Sequence, residues 1–271
     1  MKLSIITINR NNASGLEKTI KSVINQTYDD FEYIVIDGNS TDKSVEVIKK
    51  YTSKIDYWIS EPDTGIYNGM NKGIKKAQGD YCLFLNSGDW LIDNSTLTRL
   101  FIELSDTEDA GIYYTDCKAT NHPYFQPPKS LDVTYLVIHN LNHQNTLIKR
   151  SLFVEHGYYN ENLRISSDYE FWIREFWTYK TKFLYIKTNI SIYDSYGISS
   201  LSNFDNEIED SIRKTFGSVG ETLVKLRRYS HSVYGTIVEN YGYSKLLDFS
   251  LRCYHYLIRK IKKKRLYSET I

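Results

Sequence analysis

Short apolar runs alternate with segments of helical spacing along the first 115 residues. The apolar, β-branched runs predict buried strands, and each is followed by polar residues. The predicted strands are residues 3–8, 31–37, 55–59, 80–85 and 111–115. Between them, apolar residues recur every three or four positions, as Leu16, Ile20 and Val23 do, which predicts amphipathic helices. Ser14 with Glu17 matches a capping box and predicts the start of the first helix. This alternation indicates an α/β fold with a mostly parallel sheet.

Beyond residue 115 the pattern is less regular. Residues 117–131 show no periodicity and hold three of the chain's four prolines, which predicts an irregular loop over a site. Strands are then predicted at residues 145–148 and 182–193, and helices at 151–155 and 168–177. From about residue 205 no strand pattern remains, and a Tyr-rich helical tail ends in the basic run 259–265.

Acidic residues stand in the polar turns after three of the predicted strands. These are Asp37, Asp63 and Asp89. Because the carboxyl ends of parallel strands meet at one edge of a sheet, we expect these carboxylates to lie close together. Neighbouring carboxylates repel unless a cation or hydrogen-bond donors lie among them, and a divalent metal on a diphosphate is one such group. Alternatively, each aspartate is only a turn former or helix cap.

Charge and cysteine content exclude several classes of protein. Lys and Arg number 34 against 33 Asp and Glu, so the chain lacks the positive charge of a dedicated nucleic-acid binder. Cys82, Cys117 and Cys253 are far apart and form no Cys-x-x-Cys pair, which excludes a disulfide scaffold and a cysteine zinc site. No apolar stretch reaches the roughly 18–20 residues of a membrane span, and the first apolar run is too short for a signal peptide. We expect a cytoplasmic protein.

Several familiar binding motifs are absent from the sequence. Residues 9–15, after the first strand, lack the glycines of a dinucleotide-binding turn, and neither a P-loop nor a hydrolase Gly-x-Ser-x-Gly occurs. His139 and His143 are four residues apart, which suits two zinc ligands on one helix face, but no third ligand is evident. This pattern favours one structural histidine and one that lines a site.

Five segments within residues 1–200 form an ordered set of motifs: residues 3–7 (LSIIT), 36–42 (IDGNSTD), 61–73 (EPDTGIYNGMNKG), 84–89 (FLNSGD) and 167–174 (SDYEFWIR). Together they resemble the family 2 glycosyltransferases of bacterial polysaccharide assembly. The resemblance implies the GT-A fold and an inverting transfer of a sugar from a nucleotide diphosphate. The donor that it implies is a UDP-sugar, although acidic contacts suit guanine as well as uracil. The acceptor that it implies is a saccharide or a lipid-linked saccharide.

The resemblance also assigns roles to individual residues. It places six residues at the nucleotide: Thr7, Asn9, Asp37, Asp63, Asn71 and Lys72. Asp89 matches the metal-binding aspartate, which implies Mn²⁺ or Mg²⁺ as cofactor. Asn86 and Gly88 stand where the family often has acids, so we expect a weak metal site completed by diphosphate oxygens and water.

Asp168 matches the aspartate that serves the family as general base. Inversion by a single displacement needs one carboxylate to take the proton of the attacking hydroxyl. Ser167 replaces the commoner acid, and Asp168 alternatively caps the aromatic helix that follows. His143 and Gln144 match a His-Gln pair near the diphosphate and the acceptor, although His143 could instead be a buried structural residue.

We divide the chain into a GT-A domain at residues 1–204 and a helical, basic extension at 205–271. Within the first, residues 1–116 form the nucleotide-sugar half and 117–204 the acceptor half. The basic tail favours peripheral contact with the inner face of the cell membrane, and it also fits a solvated helix end or a partner-binding helix. The Tyr-rich residues 205–260 are typical of an acceptor wall or a homodimer interface. Two other functions stay open: a non-catalytic carbohydrate-binding scaffold, and a sugar nucleotidyltransferase, which would need a basic, Gly-rich first loop.

Overall fold

The computed structural model describes residues 2–120, 124–194 and 205–241, which contain an eight-stranded mixed sheet. The strands are β1 (Leu3–Asn9), β2 (Phe31–Asp37), β3 (Tyr57–Ser60), β4 (Tyr81–Phe84), β5 (Trp90–Leu91), β6 (Ile112–Ala119), β7 (Thr146–Lys149) and β8 (Phe183–Tyr193). Their order across the sheet is β3-β2-β1-β4-β7-β6-β8-β5. The first four in this order run parallel, as does β6 with β8, whereas β7 is antiparallel to both of its neighbours and β5 to β8.

Helices cover both faces of the sheet. They are α1 (Ala13–Ile24), α2 (Ser44–Lys50), α3 (Ile66–Lys76), α4 (Thr96–Ser105), α5 (Val133–Ile138), α6 (Arg150–His156), α7 (Ser167–Trp177), α8 (Asp205–Phe216) and α9 (Gly220–Tyr241). Short 3-10 turns lie at Thr52–Lys54, His143–Asn145 and Gly217–Val219. Strands alternate with helices as expected, so the α/β fold class is confirmed.

The core has two parts, one on each face of the sheet. Leu3 and Ile5 of β1 pack with α1 and α4 on one face, whereas Ile6 and Ile8 pack with α3 and the α7 region on the other. Because β1 is buried on both faces, its sequence is a continuous apolar run rather than an alternating one. The second part extends into α8 and α9 through Ile212 and other apolar residues.

The start of α1 differs from the prediction. The N-cap is Asn12, whose Oδ1 accepts from the Gly15 N–H at 3.1 Å, and Ser14 lies inside the helix. Glu17 bonds to Lys50 and Tyr51 rather than back to the cap. The predicted capping box is therefore wrong.

The described parts of the segment 117–131 contain more regular structure than predicted. β6 continues to Ala119, and Cys117 forms an antiparallel bridge with Phe125. The sequence pattern does not predict β5 or α5. β5 has two residues and α5 has six, and elements this short show no clear hydrophobic period.

The basic run 259–265 lies outside the described residues. None of the helices in the described ranges is both long and apolar enough to cross a bilayer.

Candidate active site

The carboxyl ends of β1, β2 and β4 lie side by side. In the sheet register Asn9 is opposite Asp37, and Asp37 is opposite Ser60. The N–H of Ser87, after β4, donates to the carbonyl of Ile8 at 3.0 Å. The polar turns after these strands therefore meet at one edge, where open α/β sheets bind ligands.

β7 brings a second group of residues to this edge. Because β7 is antiparallel to β4, the turn His143–Asn145 that precedes it lies at the carboxyl end of β4. Gln144 Nε2 donates to Asp89 Oδ2 at 3.0 Å, and the Asp194 N–H donates to Asp89 Oδ1 at 2.9 Å. The predicted pair His143 and Gln144 thus lies beside the predicted metal ligand.

Asp168 and His143 are in direct contact. Asp168, in the first turn of α7, is 6% exposed, and its Oδ2 lies 3.1 Å from His143 Nδ1. The Nε2 of the same ring lies 3.1 Å from Asn86 Nδ2. Because the amide N–H₂ of Asn86 only donates, this arrangement has the ring hydrogen on Nδ1, which donates to Asp168. The chain Asn86–His143–Asp168 links the end of β4 to the start of α7.

Tyr67 of α3 holds the other oxygen of Asp168. Its hydroxyl lies 3.0 Å from Asp168 Oδ1 and 2.5 Å from the carbonyl of Ile165, and the Tyr169 N–H also donates to Oδ1 at 2.8 Å. Burial, together with the charge of Asp168, raises the pKa of Tyr67 well above its usual value. The phenol therefore stays protonated and donates to this site.

Asp89 is buried at the turn after β4, and burial raises its pKa, against the opposing effects of the Asp194 N–H, His143 and Gln144. Each carboxylate oxygen accepts one of the two bonds given above and keeps a second lone pair, so Asp89 fits a cation as a single ligand. In the described part of the chain, no group of three or more His, Cys, Asp or Glu could hold a metal. Asp89 is thus a candidate for a single carboxylate ligand, and a cation there would need its other ligands from a diphosphate and water.

Asp37 lies at the end of β2, fully buried. Its carboxylate accepts four hydrogen bonds, from Asn9 Nδ2, from the Ser40 N–H and Oγ, and from Ser60 Oγ, at 2.6–2.9 Å. All of its acceptor positions are therefore used by the protein. A direct contact of Asp37 with a nucleotide requires Ser40 or Ser60 to turn away.

Asn9 and Thr7 of β1 differ in what they offer a ligand. Asn9 Oδ1 and Asn86 Oδ1 are both buried, and neither has a hydrogen-bond partner among the described residues. An orphaned buried acceptor is costly unless a ligand supplies the donor. Thr7 instead lies in the core, where its Oγ1 is 3.0 Å from the Tyr33 hydroxyl. The structure does not bring Thr7 to the sheet edge.

Asp63 lies over the turn after β2. Its carboxylate is 3.6 Å from Arg10 Nη1 and packs directly on Gly38, where a Cβ would collide with it. Lys72 Nζ bonds the carbonyl of Pro62 and the carboxylate of Glu61, both at 2.8 Å. Lys72 therefore fixes the loop that presents Asp63.

Asn71 joins α3 to the segment between α6 and α7. It is buried, its Nδ2 donates to the Tyr159 carbonyl and to Glu161, and its Oδ1 accepts from the Tyr159 N–H. Both ends of the amide are thus used by the protein. The predicted nucleotide contact of Asn71 stays a prediction.

The two histidines considered as a zinc pair lie in different surroundings. His139 packs on Tyr135 at a ring distance of 5.0 Å, and burial lowers its pKa to about 4. His143 belongs to the Asp168 network described above. Sequence reasoning missed Tyr67, which lies inside the quoted segment 61–73, and the role of Asn86, which was noted only as a missing acid.

Comparisons of the sequence and of the fold identify related proteins. A sequence model of Glycosyl transferase family 2 matches residues 4–166. A PGL/p-HBAD biosynthesis glycosyltransferase of Mycobacterium bovis is 30% identical over 210 residues, which cover 75% of this chain and 81% of the relative.

Two solved structures share the fold. The S. aureus TarS fragment 1–349, in a complex with UDP-GlcNAc, has a TM-score of 0.65 at 17% identity, over 79% of this chain and 65% of that chain. The mannosyltransferase PcManGT of Pyrobaculum calidifontis, in a complex with GDP-Man and Mn²⁺, has a TM-score of 0.60 at 11% identity, over 98% and 82%. With the family model, the relative and the GT-A-like architecture in agreement, the chain belongs to glycosyl transferase family 2 and is a glycosyltransferase.

Proposed function

We propose that the chain is an inverting glycosyltransferase that uses a UDP-sugar and acts in cell-surface polysaccharide synthesis. Its acceptor is a saccharide or a lipid-linked saccharide. The observation that carries the proposal is the buried carboxylate of Asp168, held by Tyr67 and His143 beside the turn that carries Asp89. The nucleotide-sugar complexes of the structural neighbours support the class of donor.

Asp168 acts as the general base in this proposal. The acceptor hydroxyl gives its proton to the Asp168 carboxylate while its oxygen forms a bond to the anomeric carbon. The bond from that carbon to the diphosphate oxygen breaks, and the nucleoside diphosphate leaves with the electron pair. One displacement inverts the anomeric centre.

Tyr67 can accommodate both protonation states of the base. A phenol has one hydrogen, so it cannot donate fully to Asp168 and to the Ile165 carbonyl at once. When Asp168 gains a proton on Oδ2, its Oδ1 becomes a weaker acceptor, and Tyr67 can donate to the Ile165 carbonyl instead. The two distances of 3.0 and 2.5 Å are compatible with either arrangement.

The donor occupies the carboxyl edge of β1, β2 and β4. A uracil N–H satisfies the orphaned Asn9 Oδ1, and Asp63 faces the same turn. Asp37 acts mainly through the side chains of Asn9, Ser40 and Ser60 that it holds. Asp89 would hold Mn²⁺ or Mg²⁺, and such a cation supplies positive charge to the departing diphosphate.

Calorimetry and an activity assay test this proposal together. The protein is titrated with UDP and with GDP, each with and without Mn²⁺, and UDP release is followed with UDP-glucose, UDP-galactose and UDP-GlcNAc. We expect UDP binding that requires Mn²⁺, and Asp168→Asn is expected to keep that binding but lose UDP release. Asp106→Asn, an exposed acid at the end of α4, is the control. No binding of either nucleotide would favour a non-catalytic scaffold.

A further inference from the structure

A carboxylate of the C-terminal extension binds the segment that leads into α7. Glu207 of α8 accepts from the N–H groups of Arg164, Ile165 and Ser166 at 2.9, 3.1 and 3.3 Å. The Ser166 hydroxyl donates to the same carboxylate at 2.9 Å. Four donors thus converge on one side chain that lies outside the segment matched by the family model.

The segment held by Glu207 runs directly into the base. Ser166 is the N-cap of α7, and Asp168 follows two residues later. The carbonyl of Ile165 contacts the Tyr67 hydroxyl, which also contacts Asp168. The segment is therefore held from the outside by Glu207 and from the inside by Tyr67.

α8 is itself firmly placed against α7. Phe216 packs on Trp177 with ring centres 5.0 Å apart, and Ile212 is fully buried in the same core part as Trp172. The hydrogen bonds outweigh burial and lower the pKa of Glu207, so the carboxylate is ionised at neutral pH. An ionised acceptor binds backbone N–H groups about twice as strongly as a neutral one.

We propose that Glu207 is a positioning residue for Asp168, so that the C-terminal extension is part of the catalytic unit. This inference rests on the proposed function. Without the carboxylate, the segment 164–166 loses its outer contacts, and Asp168 spends less time oriented toward the acceptor. Within the described ranges Glu207 contacts none of the residues at the nucleotide edge, so donor binding is left unchanged. Such a defect lowers kcat and leaves the donor KM as it was.

Two substitutions with a matched control test the proposal. Glu207→Ala removes the acceptor, whereas Glu207→Gln keeps the volume and one acceptor oxygen and so separates lost charge from lost packing. Asp210→Asn on the same helix is the control, since that carboxylate is exposed and, in the part of the chain that the structure describes, bonds Arg213 alone. The readouts are kcat and KM for UDP release from the best UDP-sugar, and amide hydrogen exchange of residues 164–166.

We expect Glu207→Ala to lower kcat at least tenfold and Glu207→Gln to lie between it and the wild type. Donor KM should stay within twofold, and exchange of residues 164–166 should accelerate only in the Glu207 variants. Unchanged kcat or unchanged exchange in the Glu207 variants would overturn the positioning role. If Asp168→Asn lost turnover in the same experiments, the proposed function would still hold. If Asp168→Asn kept full turnover, the base assignment would fail and the positioning role with it.

Discussion

Asp168 has directional partners on both carboxylate oxygens. Tyr67 and the Tyr169 N–H lie at Oδ1, and His143 lies at Oδ2, which keeps one lone pair for an incoming hydroxyl. A base held in this way needs little reorganisation at the moment of proton transfer. The orientation of one carboxylate is thus shared among α3, the turn before β7 and α7 itself.

Removing the Tyr67 hydroxyl should impair this orientation. Tyr67→Phe leaves the ring in place but deprives Asp168 and the Ile165 carbonyl of their shared donor. A hydrogen bond to a charged group contributes about 1.5–3 kcal/mol, so we expect a roughly 10- to 100-fold fall in kcat. Single-turnover kinetics would show the loss, with Tyr28→Phe as control, since Tyr28 stacks on Phe101 of α4 in the other part of the core. Equal rates for both variants would exclude Tyr67 from the base network.

An aspartate at residue 86 should strengthen metal binding. The family resemblance implies an acid at this position, and the Oδ1 of Asn86 has no partner within the described residues. Asn86→Asp adds a second negative oxygen ligand to the turn of Asp89, so Mn²⁺ should bind at least threefold more tightly in the presence of UDP. Titration calorimetry measures the affinity, and Asp89→Asn should weaken it. An unchanged Mn²⁺ affinity in Asn86→Asp would place the cation elsewhere.

We expect His139 to make the stability of the fold depend on pH. Burial first, and then the charges of His231 and Arg227, lower its pKa from 6.5 to about 4. Because the folded pKa is depressed, the unfolded chain binds the proton more tightly, and stability falls as the pH drops through the window from 6.5 to 4. At pH 5 the loss relative to pH 7.5 is at most about 2 kcal/mol. Urea unfolding at both pH values measures this loss, and the stability of His139→Gln should fall less from pH 7.5 to pH 5 than that of the wild type. An equally steep fall in stability would contradict the assignment.

At the scale of elements, the start of α1 is set by a tertiary contact. Asn12 caps the helix through Oδ1 and also donates from Nδ2 to the Ser87 carbonyl at 2.9 Å. The pair Ser14 and Glu17 has capping-box spacing, but Asn12 satisfies both the helix end and the turn after β4. A local pattern does not reveal the second of these bonds.

Two alanine substitutions show whether Asn12 or Ser14 stabilises the start of α1. Asn12→Ala removes both the cap and the bond to Ser87, so it should lower the free energy of unfolding by about 1–2 kcal/mol. Ser14 lies inside the helix, so Ser14→Ala should change the free energy of unfolding by less than about 0.5 kcal/mol. Chemical denaturation of both variants gives the comparison, and the reverse order of effects would restore the capping box.

Periodicity was enough to predict most elements but not the directions of their side chains. β1 is buried on both faces, and Thr7 and Asn9, two residues apart, lie on the same face of the sheet. Thr7 nevertheless bonds Tyr33 in the core, whereas Asn9 lies at the carboxyl edge of the sheet and bonds Asp37. The short β5 and α5 lack a measurable period, and antiparallel β7 has no local signal of its direction. Asp168, His143, Gln144 and Asp89 were predicted through the family resemblance, and their mutual contacts depend on β7.

At the scale of the whole molecule, the extension completes the core. The family model ends at residue 166, yet α8 and α9 pack on α7 and α5. Arg228 bonds the buried carboxylate of Glu209, and Arg227 donates to the carbonyls of Val137 and Ile138. The predicted division at residue 204 therefore separates segments that share one apolar core.

Truncation tests whether residues 1–204 fold without the extension. Among the side chains that the structure describes in α8 and α9, four apolar ones are buried in the shared core: Ile212, Phe216, Leu223 and Val224. Each contributes roughly 1.5–3 kcal/mol, so their loss removes roughly 6–12 kcal/mol. Domains are stable by only about 5–15 kcal/mol, and we therefore expect the fragment 1–204 to melt without cooperativity in circular dichroism, whereas the fragment 1–241 melts sharply. A cooperative transition of the shorter fragment would show that the GT-A domain is independent, with α8 serving only to hold the segment before Asp168.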